Sequence, residues 1–332
     1  MVLQTPLLHL LHCRYRRPCR LLTSGPWSVE LFAGNPDIEQ IWQLRTRHVP
    51  FLLSPQRWRL VRQLRQHRGP VYISEDSHRQ LPKIRRLLAL SGIARERCLF
   101  IDQFPAACDE HWVDRLLRFA QATPPAYAAE LPTLPGNRWS APRLHVRAGD
   151  REDREAWLRQ RRLAGQPLVL LQPGNKRAIK WGRARQEDFK AWPIPRWAAL
   201  LQRMHAHLPA ARLLLCGSAD ERSLLQDIRA AAAMECVEIV ADDLPLRRLM
   251  AVLETAHSMI SVDTGPAHIA AAVGCPLVVL YGTESPKRWS RRSPVNSPVI
   301  ELGGAPLHRA VAEIPLESVV RAWLHVAGIG IA

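Results

Sequence analysis

From Pro167 to Gly282 the chain alternates short apolar runs with longer segments whose apolar residues recur every three or four positions. "PLVLLQPG", "RLLLCG", "VEIV", "MISV" and "PLVVLYG" read as strands. They are apolar at most successive positions rather than at alternate ones, the mark of strands buried on both faces of a parallel sheet. "IPRWAALLQRMHAHL" carries Trp197, Leu200, Leu201, Met204 and Leu208 at helical spacing, with Pro195 suited to a first turn. "ADERSLLQDIRAAAA", "LRRLMAVLETA" and "PAHIAAAV" complete the helices. Such regular alternation predicts an α/β domain with helices on both faces of the sheet.

The first half alternates less cleanly. "TPLLHLLHCRY" predicts a helix, "RLLTSG" a strand, "VELFAGN" a short helix and "IEQIWQL" a strand. "SPQRWRLVRQLRQH", "PVYIS" and "LPKIRRLLALSG" continue as helix, strand and helix. This half is also α/β, but it opens on a helix almost at Met1, so the strand that usually begins such a domain is missing. The proline-rich stretch "ATPPAYAAELPTLPGNRWSAP" reads as a linker. The expected division is a domain over 1–145, including a linker over about 122–145, a second over 146–316, and a C-terminal helical segment, 317–332, crossing back to the first.

Charge adds a second theme. The formal net charge is +16, and only five of the 46 basic residues are lysine, at positions 83, 176, 180, 190 and 287. A solvated basic surface and an anionic partner (nucleic acid, membrane face or phosphorylated substrate) both fit that excess. The seven cysteines are scattered without a CxxC pair, which points to reduced thiols. His9, His12 and Cys13 lie close in sequence but make a weak metal signature. No stretch has the length and uninterrupted apolarity of a membrane span, and no signal peptide is apparent.

Three turns carry candidate chemistry, each following a predicted strand. In "SVDTGPAH", Asp263, Thr264 and Gly265 precede a helix whose first N–H groups and dipole favour an anion; Thr264 or Gly265 would cap it, and Gly265 would admit a ligand closely or take positive φ. In "QPGNKRAIKWGRARQEDFKAWP", Gly174 and Asn175 form a turn, and Lys176, Lys180 and Lys190 offer point charges to a diphosphate. In "CGSADE", Glu221 is placed to accept ribose hydroxyls. Helix capping, a solvated loop and a helix-favouring acid are the plain alternatives. Three such features on one sheet edge suggest a nucleotide-diphosphate pocket. No Gly-x-Gly-x-x-Gly, Walker-type loop or Asp-x-Asp pair occurs, which counts against dinucleotide, ATP and carboxylate-held metal sites.

"SVDTGPAHIAAAVGCPLVVLYG", "QPGNK…KAWPIPRW" and "CGSADE" resemble glycosyltransferase family 9, the ADP-heptose:lipopolysaccharide heptosyltransferases and their relatives. "VLQTPLLHLL" and "LFAGNPDIEQIW" are similar to that family's N-terminal region, and the resemblance is loosest between Ala94 and Gly165. It implies the GT-B architecture, two facing Rossmann-like domains, the second for the nucleotide sugar and the first for the acceptor. It implies Asp263, Thr264 and Gly265 under sugar and diphosphate, Lys190 on the phosphates, Glu221 on the ribose and Leu244 near the adenine. His268 matches the motif or is a structural histidine.

The implied activity is inverting, metal-independent transfer of a heptose or related sugar from an ADP-sugar to a lipopolysaccharide core or lipid A acceptor, without cofactor, in the cytoplasm at the inner-membrane face. The family's base is an aspartate in a Gly-Asp pair just before the segment matching "VLQTPLL", which here begins at Val2, so the base is expected upstream of Met1. Glu75 and Asp76, after a strand, are the nearest substitutes. The rivals are a GT-B shell that binds nucleotide sugar without catalysis and, on charge alone, a nucleic-acid-binding protein.

Overall fold

The computed structural model of the chain describes residues 1–44, 54–129, 140–175 and 189–330. The polypeptide divides into two compact units, Leu3–Ser140 and Ala141–Ala332.

The second unit is built on a six-stranded sheet: β5 (Leu168–Gln172), β6 (Arg212–Leu215), β7 (Val237–Ile239), β8 (Ser258–Val262), β9 (Leu277–Tyr281) and β10 (Val299–Gly303). All neighbours are parallel, in the order β10-β9-β8-β5-β6-β7. Winding proceeds outward from β5 in one direction, then returns to β8 and proceeds in the other. Every residue of β5, β8 and β9 is buried, as their largely apolar runs predicted. Helices Ile194–His207, Arg222–Ala232, Leu246–Thr255 and Gly265–Val273 occupy the predicted crossovers.

Two boundaries differ from expectation. The break between units falls at Ser140/Ala141 rather than after residue 145. The reason is that residues 141–145 are already tied into the second unit: Leu144 N–H donates to Ala272 O (3.1 Å), and Arg247 donates to His145 O (2.9 Å). The C-terminal helix Leu316–Val326, expected to cross back, is instead part of the second unit's core. Its Trp323 is wholly buried and donates its indole N–H to Ser258 Oγ at 3.0 Å. β10, which no apolar run announced, extends the sheet beyond β9 with all five residues only half-buried, as befits an edge.

In the first unit the described strands form two separate parallel pairs, β1 (Cys19–Thr23) with β2 (Ile38–Gln43) and β3 (Val71–Ile73) with β4 (Cys98–Phe100). The second unit clarifies this pattern. There β5 joins β6–β7 to β8–β9–β10, and a doubly wound sheet stripped of that central strand would fall into parallel pieces of this kind. Among the described residues no strand joins the two pairs. The opening helix Thr5–Tyr15 and the helix Trp112–Gln121 pack in this unit, with Arg14 donating to Ala120 O (2.7 Å) and Ala122 O (2.8 Å). Helices Pro55–Arg65 and Leu81–Leu90 bury Leu60, Val61, Leu64, Leu81, Leu87 and Leu88 against Ile73 and Phe100.

The histidines of the opening helix have a structural explanation. His9 and His12 both bring Nδ1 to the buried Asp37 carboxylate, at 3.1 and 2.7 Å, and Cys13 Sγ lies 3.5 Å from His9 Nε2. Among the described residues no group of three or more His, Cys, Asp or Glu side chains is placed to hold a metal ion. All seven cysteines are free. No described helix is long and apolar enough to cross a membrane.

Candidate functional site

Ligands of open α/β sheets bind outside the carboxyl ends of the strands where the winding reverses. Here the reversal lies between β5 and β8. β5 runs out into Pro173-Gly174-Asn175, and β8 into Asp263-Thr264-Gly265. β6, the other neighbour of β5, runs out into Gly217-Ser218 and the turn Ala219–Glu221. The three turns singled out from sequence therefore meet at the one point of the sheet where its topology opens a crevice.

Lys190 and Asp263 are in direct contact. Lys190 Nζ donates to Asp263 Oδ2 at 2.6 Å and to the Asp263 carbonyl at 3.1 Å. The lysine is held at its root. Two residues on, Trp192 is buried edge-on against Trp197, their ring centroids 5.0 Å apart, and its indole donates to Ile314 O at 3.0 Å. One residue before Lys190, the Phe189 carbonyl accepts from Val311 N–H at 2.8 Å and packs against Gly282, where a Cβ would lie 2.5 Å from that carbonyl. Only glycine after β9 allows this approach.

Asp263 has a second partner that the sequence reading missed. Arg291, whose side chain is 0% exposed, places Nη2 2.5 Å from Asp263 Oδ1. Its other terminal nitrogen donates to the Tyr281 hydroxyl, and the guanidinium lies 5.0 Å from the centroid of the Tyr281 ring. The Arg291 backbone N–H donates to Glu301 at 2.7 Å, and the Tyr281 hydroxyl donates to the same carboxylate at 3.1 Å. Burial raises the Glu301 pKa. Burial alone would raise that of Asp263 also, but the charges of Arg291 and then Lys190 more than offset it and hold the carboxyl below its usual range. Nothing near Arg291 in sequence separates it from Arg288 or Arg292. Only the pairing of β9 with β10 brings it beneath the β8 turn.

The Glu221 side of the crevice is equally built. Glu221 Oε2 accepts from Ser218 N–H (2.7 Å) and Ser218 Oγ (2.9 Å), and Gln172 Nε2 lies 3.4 Å from Oε1. Gly174 makes room for the carboxylate: a Cβ there would lie 2.2 Å from Oε1 and 2.8 Å from the carboxyl carbon. Because Ser218 fixes Glu221, it cannot swing aside at no cost. Gly174→Ala is expected to displace the carboxylate from Ser218, weakening binding of a ribonucleotide about tenfold, in line with one lost hydrogen bond to a charged group, and lowering the melting temperature. Calorimetric titration with ADP reads the first effect and a melting curve the second.

The helix Gly265–Val273 starts at this point, with Pro266 in its first turn. Thr264 stands at its N-cap, but its hydroxyl lies 3.0 Å from Ser261 Oγ and caps no backbone N–H. Of the two candidate caps, Thr264 takes the N-cap position and Gly265 the first helical one, with the Thr264 hydroxyl held by Ser261 directly below. Of the two readings of Gly265, close approach of a ligand or positive φ, the structure removes the second. The residue does not adopt positive φ, and a Cβ there would meet nothing within 4 Å, so the space above it is open. The open helix end, with N–H groups at Gly265, Ala267 and His268, is the anion-favouring feature of the site. His268 is half-buried in the first turn of this helix. Leu244 is half-buried in the loop after β7, on the same sheet edge, and Asn175 is buried beside Gly174. Lys176 and Lys180 lie outside the described residues.

Glu75 and Asp76 follow β3 in the first unit, and each is engaged locally. Glu75 accepts from Ser77 N–H at 3.0 Å, and Asp76 accepts from the buried Arg115 at 3.2 Å. These contacts give both carboxylates structural work and do not favour either as a base.

Three comparisons with known proteins bear on the chain. It is 30% identical over 139 residues to lipopolysaccharide heptosyltransferase 3 of Escherichia coli, a match spanning 40% of this chain and 38% of that protein. It is 26% identical over 283 residues to lipooligosaccharide heptosyltransferase 2 of Haemophilus influenzae, covering 81% of this chain and 76% of that protein. In fold it is similar to the E. coli ADP-heptose lps heptosyltransferase II, with a TM-score of 0.70 at 19% identity over 98% of this chain and 95% of that one. That likeness bears out the α/β, GT-B fold class. Residues 105–309 match the model of glycosyltransferase family 9 (heptosyltransferase), a span that takes in the crevice at β5 and β8 with Lys190, Glu221, Asp263 and Arg291, and the chain belongs to that family.

Proposed function

We propose that the chain is an inverting, metal-independent heptosyltransferase that moves a heptose, or a related sugar, from an ADP-sugar to a lipopolysaccharide core acceptor. The observation that carries the reading is the meeting of Lys190, Asp263, Glu221 and an open helix N-terminus at the sheet's reversal point in a family 9 chain. Each group has a task that its position suits. Glu221, held by Ser218 beside Gly174, accepts hydrogen bonds from ribose hydroxyls. The first N–H groups of helix Gly265–Val273 and the Lys190 ammonium take the diphosphate. Asp263 and Thr264 lie beneath the sugar, and Leu244 packs near the base.

Inversion requires attack by an acceptor hydroxyl on the anomeric carbon as the C–O bond to the diphosphate breaks on the opposite face. Negative charge builds on the departing phosphate oxygen. Lys190 and the helix end, fixed before the reaction, stabilise that charge without needing to reorganise. The acceptor's proton needs a base, and this role is left unassigned among the described residues.

A titration with ADP-heptose, followed by a transfer assay on heptose-deficient lipopolysaccharide, tests the reading. Binding with transfer supports it. Binding without transfer favours a nucleotide-sugar-binding relative that lacks the base. Failure to bind ADP or ADP-heptose would discard the donor assignment.

Work on a lipid-linked acceptor calls for a membrane-facing surface, and we place it on helix Pro55–Arg65 of the first unit. This helix carries four arginines and no acid, and exposes Trp58, Arg59, Arg62 and Arg65 along one side. Arginines with an interfacial tryptophan suit an anionic bilayer, at about 1 kcal/mol per well-placed charge. Vesicles containing anionic lipid are expected to sediment the protein at low salt and release it at high salt. Arg59→Glu with Arg62→Glu should abolish that sedimentation, and neutral vesicles should not bind at all.

A further inference from the structure

Resting on the donor reading above, we propose that Arg291 is a positioning residue that neutralises Asp263 and thereby releases Lys190 to the diphosphate. The difficulty it resolves is visible in the ligand-free site. Lys190, the one lysine at the described edge of the crevice, spends its ammonium on Asp263 at 2.6 Å. A cation committed to a half-buried carboxylate is a poor phosphate binder, because leaving would strand that carboxylate unpaired.

Arg291 removes the obstacle. Its Nη2 lies on Oδ1 of Asp263 while Lys190 takes Oδ2, so the two cations hold different oxygens and either can leave alone. Their environments decide which one does. Arg291 is wholly enclosed, clamped by the Tyr281 hydroxyl and, through its backbone N–H, by Glu301. It cannot reach a ligand without dismantling the junction of β9 and β10. Lys190 has 13% of its side chain exposed and a flexible stem. Two cations on one carboxylate leave a positive charge in surplus at the mouth of the crevice, and the mobile one can turn to an incoming anion while Asp263 remains paired. Arginine suits the fixed role because it stays charged when buried and spreads several donors over separate acceptors.

The test is a double-mutant cycle read by calorimetric titration with ADP, using folded variants of the full chain. Arg291→Met should lower ADP affinity about tenfold or more, since Lys190 is then the sole partner of Asp263. Asp263→Asn supplies the second single variant, against which the coupling to Arg291 is measured. Adding Asp263→Asn to Arg291→Met should restore affinity to within about threefold of wild type, because no carboxylate then competes for Lys190. A merely structural Arg291 predicts losses that add, and that result would overturn the proposal. The structure of the wild-type ADP complex gives a second reading that needs no variant. Arg291 should remain on Asp263 with Lys190 Nζ moved to a phosphate oxygen. Lys190 still on Asp263, or Arg291 released from it, would overturn the proposal. If the wild-type chain binds no ADP, the donor reading and this inference fail together; ADP binding with additive losses removes this inference alone.

Discussion

Asp263→Ala is expected to lower the unfolding free energy of the second unit by about 3–5 kcal/mol, the range seen when one partner of a buried ion pair is removed. The size of the effect comes from what remains. Arg291 has no exposed side-chain surface, so without Asp263 its guanidinium is buried with no carboxylate hydrogen-bonded to it, keeping the Tyr281 hydroxyl and the Trp289 carbonyl as acceptors and Glu301 on its backbone N–H. Lys190 is partly exposed and can turn to water, so it adds little to the loss. Urea denaturation at neutral pH measures the change, with an unaltered dependence on urea showing that the same surface unfolds. The same carboxylate should be visible in the acid limb of stability. Its folded pKa lies below the ordinary value of 3.8, so the pairing contributes in full above about pH 4 and is lost as the pH falls through the folded value. Asp263→Asn has no proton to gain there, so the difference in stability between it and the wild type should shrink as the solution is acidified below pH 4. A difference that stays constant with pH would argue against a charged Asp263 in the folded protein.

Lys190→Met should have the largest effect on catalysis. If the ammonium stabilises charge on the departing diphosphate, its loss should lower kcat about 10²- to 10³-fold, as for removal of other fixed donors to a developing anion. The effect on ADP-heptose affinity should be smaller, about 10- to 100-fold, because the diphosphate still esterified to the sugar carries less charge at the bridging oxygen and keeps the helix N-terminus. Folding should be almost untouched: Arg291 still pairs with Asp263, and Trp192 still anchors the loop. Lys190→Arg should not restore full rate, since a planar fork cannot reproduce the position of a point charge. Single-turnover transfer from ADP-heptose, beside equilibrium ADP-heptose binding, separates the two effects. Lost affinity with kcat unchanged would reduce Lys190 to uniform binding.

What the sequence could reveal depended on how each element is buried. β5, β8 and β9 are covered on both faces, so most positions are apolar and none is charged, and the strands stand out from their neighbours. β10 is an edge, carries Glu301 and Gly303 among its five residues, and leaves no such trace. Helix Ala148–Gln160 is charged along most of its length, with apolar contact concentrated at Trp157 and Leu158, and carries too few apolar residues to show a helical period. The site was legible in its parts. Gly174, Glu221 and Asp263 each follow the carboxyl end of a buried strand, and strand ends mark the binding edge. Their contacts were not legible. Lys190 and Asp263 are 73 residues apart, and Asp37 lies 25 and 28 residues from the histidines it holds. Arg291 was invisible for a further reason: among so many arginines, burial alone makes it distinctive, and burial is a property of the packed sheet.

The location of the pocket can be tested directly by hydrogen–deuterium exchange of the chain with and without saturating ADP. The account predicts added protection in three separated segments, residues 173–175, 217–221 and 263–268, with the amides of the first turn of helix Gly265–Val273 slowed most. These segments adjoin only at the sheet's reversal point, so joint protection would locate the diphosphate there. Protection confined to the first unit, or ADP binding that leaves all three turns unchanged, would contradict the assignment of the crevice between β5 and β8.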